Sequence, residues 1–278
     1  MRTRLTTLSL HGLCALVLAA GCSTQPAPQS APTPAATAAA DQPGRQWKPE
    51  DTEYYTPVPP IVTPGENGSP PSDAIVLLGK GGLDEWVLAK DGSPATWPVT
   101  DGVATVDKKV GGIKTKRSFT NYQLHIEWRI PEGITGSGQA RGNSGVFLAS
   151  TGPGDMGYEL QVLDSYNNKT YVNGQAASIY KQNPPLVNAM RPPGQWQAYD
   201  VIWTAPTFNA DGTLKTPAYV TALHNNVLVQ NHFQLRGHTP YIGLPKYTAH
   251  GPAPIMLQAH GDPSPPISFR NIWIRPLQ

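Results

Sequence analysis

The sequence predicts an all-β domain, a sandwich or a barrel, and three observations carry that expectation. The 278 residues include 30 Pro and 27 Gly, and Pro removes helix hydrogen bonds while Gly is costly inside a helix. From about Asp73 onward, apolar runs of about four to nine residues recur between clusters of Gly, Pro, Asn and Asp, the rhythm of short strands and turns. No stretch sustains a 3.6-residue period, whereas Tyr122 to Ile130 alternates strictly. Tyr122, Leu124, Ile126, Trp128 and Ile130 share one face, and Gln123, His125, Glu127 and Arg129 share the other, so one face is core and one is polar.

Taken in order, the chain begins with Arg2 and Arg4 ahead of an apolar stretch, Leu8 to Ala20, broken at His11. A basic start, a short apolar segment and small residues at its end make residues 1–21 a secretory signal, too short for a permanent bilayer span. Leu18-Ala19-Ala20-Gly21-Cys22 resembles a bacterial lipobox, with Ala19 where Leu is commoner. Cys22 is therefore expected to carry lipid and to anchor an exported protein to a membrane of the bacterial envelope. Cleavage there removes Cys14, which leaves no cysteine pair for an internal disulfide.

Residues 22–72 form a tether rich in Ala, Pro, Ser and Thr. Its second half, Trp47 through Val62, carries aromatic and apolar side chains that a solvated linker does not need, and is expected to pack as an arm. The domain then runs over residues 73–278. Besides Tyr122 to Ile130, Tyr158, Leu160 and Val162 alternate with Glu159 and Gln161. Thr221 to Gln230 reads as a hairpin turning at Asn225-Asn226, because Asn tolerates positive φ. A last strand lies near Ile267 to Ile274. There are 21 Lys and Arg against 19 Asp and Glu, with charged residues only 14% of the chain; so balanced a chain is no nucleic-acid binder.

Four clusters carry candidate chemistry. Glu159-Leu160-Gln161-Val162-Leu163-Asp164 sets two carboxylates five residues apart, and Asp164 joins the Glu159 face only if a bulge shifts the register. The spacing resembles the Glu-x-Asp-x-x-Glu strand of laminarinase and lichenase-like glucanases. However, Gln161 is neutral where those enzymes have an acid, and Asp164 is shorter than Glu. Arg141 to Phe147 is a Gly-flanked polar cluster centred on Asn143, where backbone can approach a ligand. Gln258 and His260 share a face at the end of an apolar strand, and His is a ready proton carrier. Ser178-Ile179-Tyr180-Lys181 offers a phenol and an ammonium. Gly-x-Ser-x-Gly, His-Glu-x-x-His, paired zinc cysteines, a P-loop and a dinucleotide fingerprint are all absent. Oxygen ligands leave weak sequence signatures, so a divalent cation such as calcium, held by Asn143 and Glu159, stays open as an expectation. The same pair would equally bind sugar hydroxyls.

Glu127-Trp128-Arg129, Gly142 to Gly145, Tyr158 to Asp164, Ile179-Tyr180, Pro193-Gly194-Gln195-Trp196, Leu257 to Gly261 and Phe269 to Ile272 together resemble the 3-keto-disaccharide hydrolase family, also described as 3-keto-glucoside-1,2-lyase/3-keto-2-hydroxy-glucal hydratase. The resemblance covers about Asp73 to Leu277. It departs at Ala259, where an acid is common, at Asn226, where a hairpin Gly is usual, and in the extended Asp262 to Pro266 loop. It implies a concanavalin A-like jelly-roll β-sandwich with its site on the concave sheet, and a 3-keto-glucoside or 3-keto-disaccharide as substrate. Glu159, Asp164 and His260 are then the expected catalytic residues. Glu127, Arg129, Asn143, Gln161, Tyr180, Lys181, Gln258 and Arg270 are expected to bind substrate on the same face. Glu159 or His260 would remove a proton, Arg129 or Asn143 would steady the enolate oxygen, and Asp164 or Tyr180 would serve the leaving group. A lectin-like module on the same fold and a conventional glucanase are the alternatives, since fold alone does not give function.

Overall fold

The computed structural model describes residues 45–277; the expected leader 1–21, Cys22 and the tether as far as residue 44 lie outside the described residues. The chain divides into two units, Met1–Val58 and Pro59–Gln278. In the described part of the first, a 3-10 turn spans Pro49–Thr52, and Arg45 pairs with Asp51 at 2.8 Å. Of the side chains expected to pack as an arm, Tyr54, Tyr55 and Val58 of this unit and Ile61 of the next are exposed. The Pro-rich backbone there joins no ladder that would turn them inward. In the second unit it is the following stretch that packs, with the Gly68 carbonyl accepting from Asn271 Nδ2 and Trp273 Nε1, both at 2.9 Å.

Fifteen strands follow: β1 (Ile75–Leu78), β2 (Trp86–Leu88), β3 (Val99–Thr100), β4 (Val103–Thr105), β5 (Ile113–Thr115), β6 (Asn121–Arg129), β7 (Ser144–Ser150), β8 (Gly157–Val162), β9 (Trp196–Thr204), β10 (Thr207–Phe208), β11 (Leu214–Thr216), β12 (Tyr219–His224), β13 (Val227–Gln234), β14 (Met256–Leu257) and β15 (Ser268–Leu277). The larger sheet runs β13-β12-β9-β6-β15-β4-β3, with β1 also on β15, and the smaller runs β2-β5-β14-β7-β8. Every pairing is antiparallel. Asn225 and Asn226 turn the β12–β13 hairpin with φ of 53° and 66°, the doubly left-handed geometry of a type I′ turn.

The two sheets form a β-sandwich around one core. Tyr122, Leu124, Ile126 and Trp128 of β6 are fully buried, as are Tyr158, Leu160 and Val162 of β8. Two phenols cross between the sheets: Tyr122 Oη donates to the Leu148 carbonyl at 2.6 Å, and Tyr199 Oη to the Gln161 carbonyl at 2.8 Å. The Gln161 carbonyl also accepts from the Ala177 amide, so Tyr199→Phe removes a bond without orphaning its partner. A loss of about 1 kcal/mol is expected, read as a lower midpoint with unchanged slope in denaturant unfolding.

Since each sheet turns its apolar face inward, the polar faces of β6 and β8 point in opposite directions. That single consequence of the period of two decides where the candidate side chains lie.

Candidate active site

The outer face of the five-stranded sheet forms the floor of a cavity of about 700 Å³. Glu159 and Gln161 rise from β8, Gln258 and His260 follow β14, and Asn143 precedes β7. Tyr180 and Lys181 lie beside β8, where the Tyr180 amide donates to the Glu159 carbonyl at 3.1 Å. Seven of the eleven expected site residues therefore meet here: Glu159, His260, Asn143, Gln161, Tyr180, Lys181 and Gln258 all line the cavity.

Glu159 is 6% exposed. Burial, helped by the negative charge of Asp155, pushes its carboxyl up to about 8, so it holds its proton at neutral pH. Its space depends on Gly145 of the neighbouring strand: a β-carbon there would stand 2.4 Å from Glu159 Oε1 and 3.0 Å from its Cδ. Gly145→Ala should displace the carboxyl and lower turnover by roughly 10- to 100-fold, because small misplacements at the reacting centre are costly. Thermal unfolding should change little by comparison, since the backbone at Gly145 lies outside the positive-φ region.

His260 is oriented by a residue that sequence reasoning missed. Its Nδ1 lies 3.1 Å from Asp262 Oδ2. Burial opposes the charge on Asp262, but hydrogen bonds with His260, Ser264 and Lys108 outweigh it and hold the carboxyl down to about 2. Lys108 Nζ reaches Asp262 Oδ2 at 3.1 Å and the carbonyls of Asp262 and Ser264 at 2.7 and 2.8 Å, knitting the loop. The acid missing at position 259 is thus supplied two residues beyond the histidine, by the loop that departs from the family pattern. The Asp262 amide also points at Nδ1, at 3.2 Å; in the tautomer that gives Nδ1–H to the carboxylate, Nε2 is the acceptor on the cavity side.

Asn143 donates through Nδ2 to the Gln139 carbonyl at 2.8 Å and stands 3.5 Å from His260 Nε2, while its Oδ1 accepts from Gln161 Nε2 at 3.0 Å. Gln258 Nε2 donates to Asp155 at 2.8 Å. The amide oxygens of Gln161 and Gln258 are buried without a donor, which leaves them for a ligand's hydroxyls. Tyr180 Oη and Tyr171 Oη share a 2.6 Å hydrogen bond. Asp155, Tyr171, Tyr241 and Asp262 were not found from sequence because each sits on a loop with no periodicity. Asp262 alone left a signal, its i+2 spacing from His260.

The arrangement does not suit the calcium pair considered from sequence. Asn143 Oδ1 is taken up by Gln161, and burial favours the protonated form of Glu159. Among the described residues no group of three or more His, Cys, Asp or Glu side chains stands in ligating geometry.

Four expected site residues lie elsewhere. Asp164 is fully buried and pairs with Arg141 Nε at 2.7 Å, accepting also from the Tyr166 amide. Strand β8 ends at Val162 with no register shift between Glu159 and Val162, and Asp164, beyond it, does not line the cavity. Glu127, Arg129 and Arg270 stand on the outer face of the larger sheet, across the core. Glu127 and Arg270 border a second cavity of about 710 Å³, with His125 and Asp200, whereas Arg129 lines a smaller one beside Glu132 and Ser268. Glu127 accepts from Arg270 Nε at 2.6 Å and Asn271 Nδ2 at 2.8 Å, and the Arg129 and Arg270 guanidinium carbons lie 4.6 and 4.0 Å from the Trp196 ring centre. Burial opposes charge on both Glu127 and His125. Their mutual contact, with Arg270, Asn271 and Asp200, holds Glu127 near 2 and raises His125 to about 9. These carboxylates are neutralised by their neighbours, whereas Glu159 lacks any cation partner among the described residues.

The sandwich recurs in known proteins. A crystal structure from Parabacteroides distasonis, of a protein described as a candidate glycosyl hydrolase, is 54% identical, with a TM-score of 0.78 over 83% of this chain and 97% of that one. Two further candidate glycosyl hydrolases of that organism are 21% and 23% identical, with TM-scores of 0.51 and 0.52. They cover 70% and 73% of this chain and 90% and 99% of their own, and they show the fold alone. No curated protein matches. Residues 73–275 match the 3-keto-alpha-glucoside-1,2-lyase-like domain family, and the chain belongs to that family.

Proposed function

We propose that this carbohydrate-active enzyme cleaves 3-keto-glucosides or 3-keto-disaccharides by elimination and hydration. The observation that carries the reading is one cavity floor holding two proton-transfer groups in contrasting environments. Burial favours the protonated form of Glu159, and His260 is held at Nδ1 by Asp262 with Nε2 turned toward Asn143. Such a split separates acid from base.

A ketone at C3 acidifies the proton on C2. His260 Nε2 takes that proton, and the electron pair forms the enolate. The remaining N–H of Asn143 Nδ2, beside His260, steadies the enolate oxygen. As the C1–O bond breaks, Glu159 gives its proton to the departing oxygen. Water then adds at C1, returning a proton to Glu159, while His260, its proton exchanged with solvent, protonates C2, so the net change is hydrolysis. A covalent glycosyl intermediate is not needed. A retaining glucanase would require a second carboxylate about 5 Å from the first; Asp164, the residue expected in that role, lies outside the cavity, and Asp155, which lines it, is engaged by Gln258 Nε2.

The test is aglycone release from a chromogenic 3-keto-glucoside beside its ordinary glucoside. Release from the keto substrate alone is expected; cleavage of the plain glucoside would return the glucanase reading, and sugar binding without turnover of either would return the lectin. Export and acylation at Cys22 belong to the same proposal and rest on the leader sequence. Metabolic labelling with a fatty acid should mark the chain and fail to mark Cys22→Ser.

A further inference from the structure

We infer that the leaving half of the substrate is a flat aromatic ring, seated against Tyr171 and Tyr241, rather than a second sugar. The inference rests on the reaction proposed above and deepens it.

The cavity is chemically lopsided along the direction set by the strand order. Gln258 follows β14, Gly145 lies on β7, Glu159 and Gln161 on β8, and Tyr180 beyond β8. Toward Gln258 the floor offers a buried amide oxygen with no donor of its own, and Gln161, beside Glu159 on β8, offers another. A polyhydroxylated ring supplies the donors such atoms lack. Beyond Glu159 the polar groups are already engaged with one another. Tyr171 Oη and Tyr180 Oη share their 2.6 Å bond. Lys181 Nζ donates to the Tyr241 carbonyl at 2.5 Å and stands 4.5, 5.6 and 5.8 Å from the ring centres of Tyr241, Tyr180 and Tyr171. What this end presents is ring surface, with Tyr171 40% and Tyr241 73% exposed. Ile242 and Leu244, on the same loop as Tyr241, are 84% and 88% exposed. An incoming aromatic ring gains from offset or edge contact with such tyrosines, and a second sugar would find few free hydrogen-bonding partners there. Because the acid, Glu159, lies between the two ends, the bond it protonates is the one joining sugar to ring.

The experiment measures calorimetric binding of phenyl, methyl and disaccharide glucosides, in both anomeric forms, to the wild-type protein and to Tyr241→Ala. Plain glucosides serve as unreactive analogues. The better phenyl anomer should bind wild type about tenfold more tightly than its methyl counterpart, and Tyr241→Ala should remove most of that preference. Tyr241 is exposed, so the variant should keep the wild-type melting temperature. Equal binding of phenyl and methyl glucosides, a preference untouched by the variant, or a disaccharide bound as tightly as the phenyl glucoside with the same loss in the variant would each overturn the inference. Turnover of the matching 3-keto compounds separates the two ideas. A phenyl preference without turnover would sink the reaction and leave the ring site standing; turnover without a phenyl preference would sink the ring site alone.

Discussion

Glu159→Gln should lower kcat/KM on a 3-keto-glucoside by roughly 10²- to 10⁴-fold, the usual worth of a positioned proton donor. Gln preserves the shape and cannot release a proton to the leaving oxygen. In the wild-type enzyme the same role predicts that activity falls as pH rises through about 8, where the buried carboxyl loses its proton. Were Glu159 the base instead, activity would rise through that region, so the sign of the alkaline limb decides between the roles. The substitution should move stability the other way. The carboxyl ionises near 4.5 in the unfolded chain and near 8 in the folded one, so between those values the folded state binds the extra proton and stability drops with rising pH. Gln has no proton to lose. Its advantage over Glu should therefore grow across that window to roughly 4 kcal/mol by pH 8, visible as a melting-temperature gain at pH 8 that vanishes near pH 4. A variant that is less active and no more stable at alkaline pH would contradict the buried neutral acid.

His260→Ala should cost a similar roughly 10²- to 10⁴-fold in turnover as the loss of the base, with sugar binding largely retained because Gln161 and Gln258 stay in place. The supporting carboxylate should matter less. Asp262→Asn keeps a hydrogen-bond acceptor near Nδ1 but removes the charge that favours the Nδ1–H form, and roughly a 10- to 100-fold drop is expected, by analogy with removal of partners that orient a histidine. Its effect should lie mainly in kcat, with KM nearly unchanged. If Asp262→Asn matched wild type in kcat while only lowering the melting temperature, Asp262 would be merely a tie for the 260–264 loop through Lys108.

Much of this was legible in the chain because period-two arithmetic is local. The alternation at Tyr122 to Ile130 becomes β6 with its apolar face at zero exposure, and the Asn225-Asn226 hairpin forms where two positive-φ residues allow it. Glu159 with Gln161, and Gln258 with His260, sit two apart and do reach one cavity. The expectation that Glu127, Arg129 and Arg270 would join them failed for a reason already contained in the same alternation. A strand that commits Trp128 to the core must aim Glu127 and Arg129 away from it, and in a sandwich the outward faces of opposite sheets cannot meet. Asp164 failed because i+5 needs a register shift that β8 lacks between Glu159 and Val162. Asp155, Tyr171, Tyr241 and Asp262 arrive from loops whose paths are set by tertiary contacts, such as Lys108 on the 262–264 carbonyls, and no local pattern announces those.

The central claim is abstraction of the C2 proton by a histidine rather than displacement at C1, and product labelling tests it most directly. A 3-keto-glucoside cleaved in deuterated buffer should yield a 3-keto-sugar carrying deuterium at C2, at a rate that collapses in His260→Ala. Cleavage that leaves C2 fully protiated would mean direct displacement, and would contradict the account whatever the overall rate.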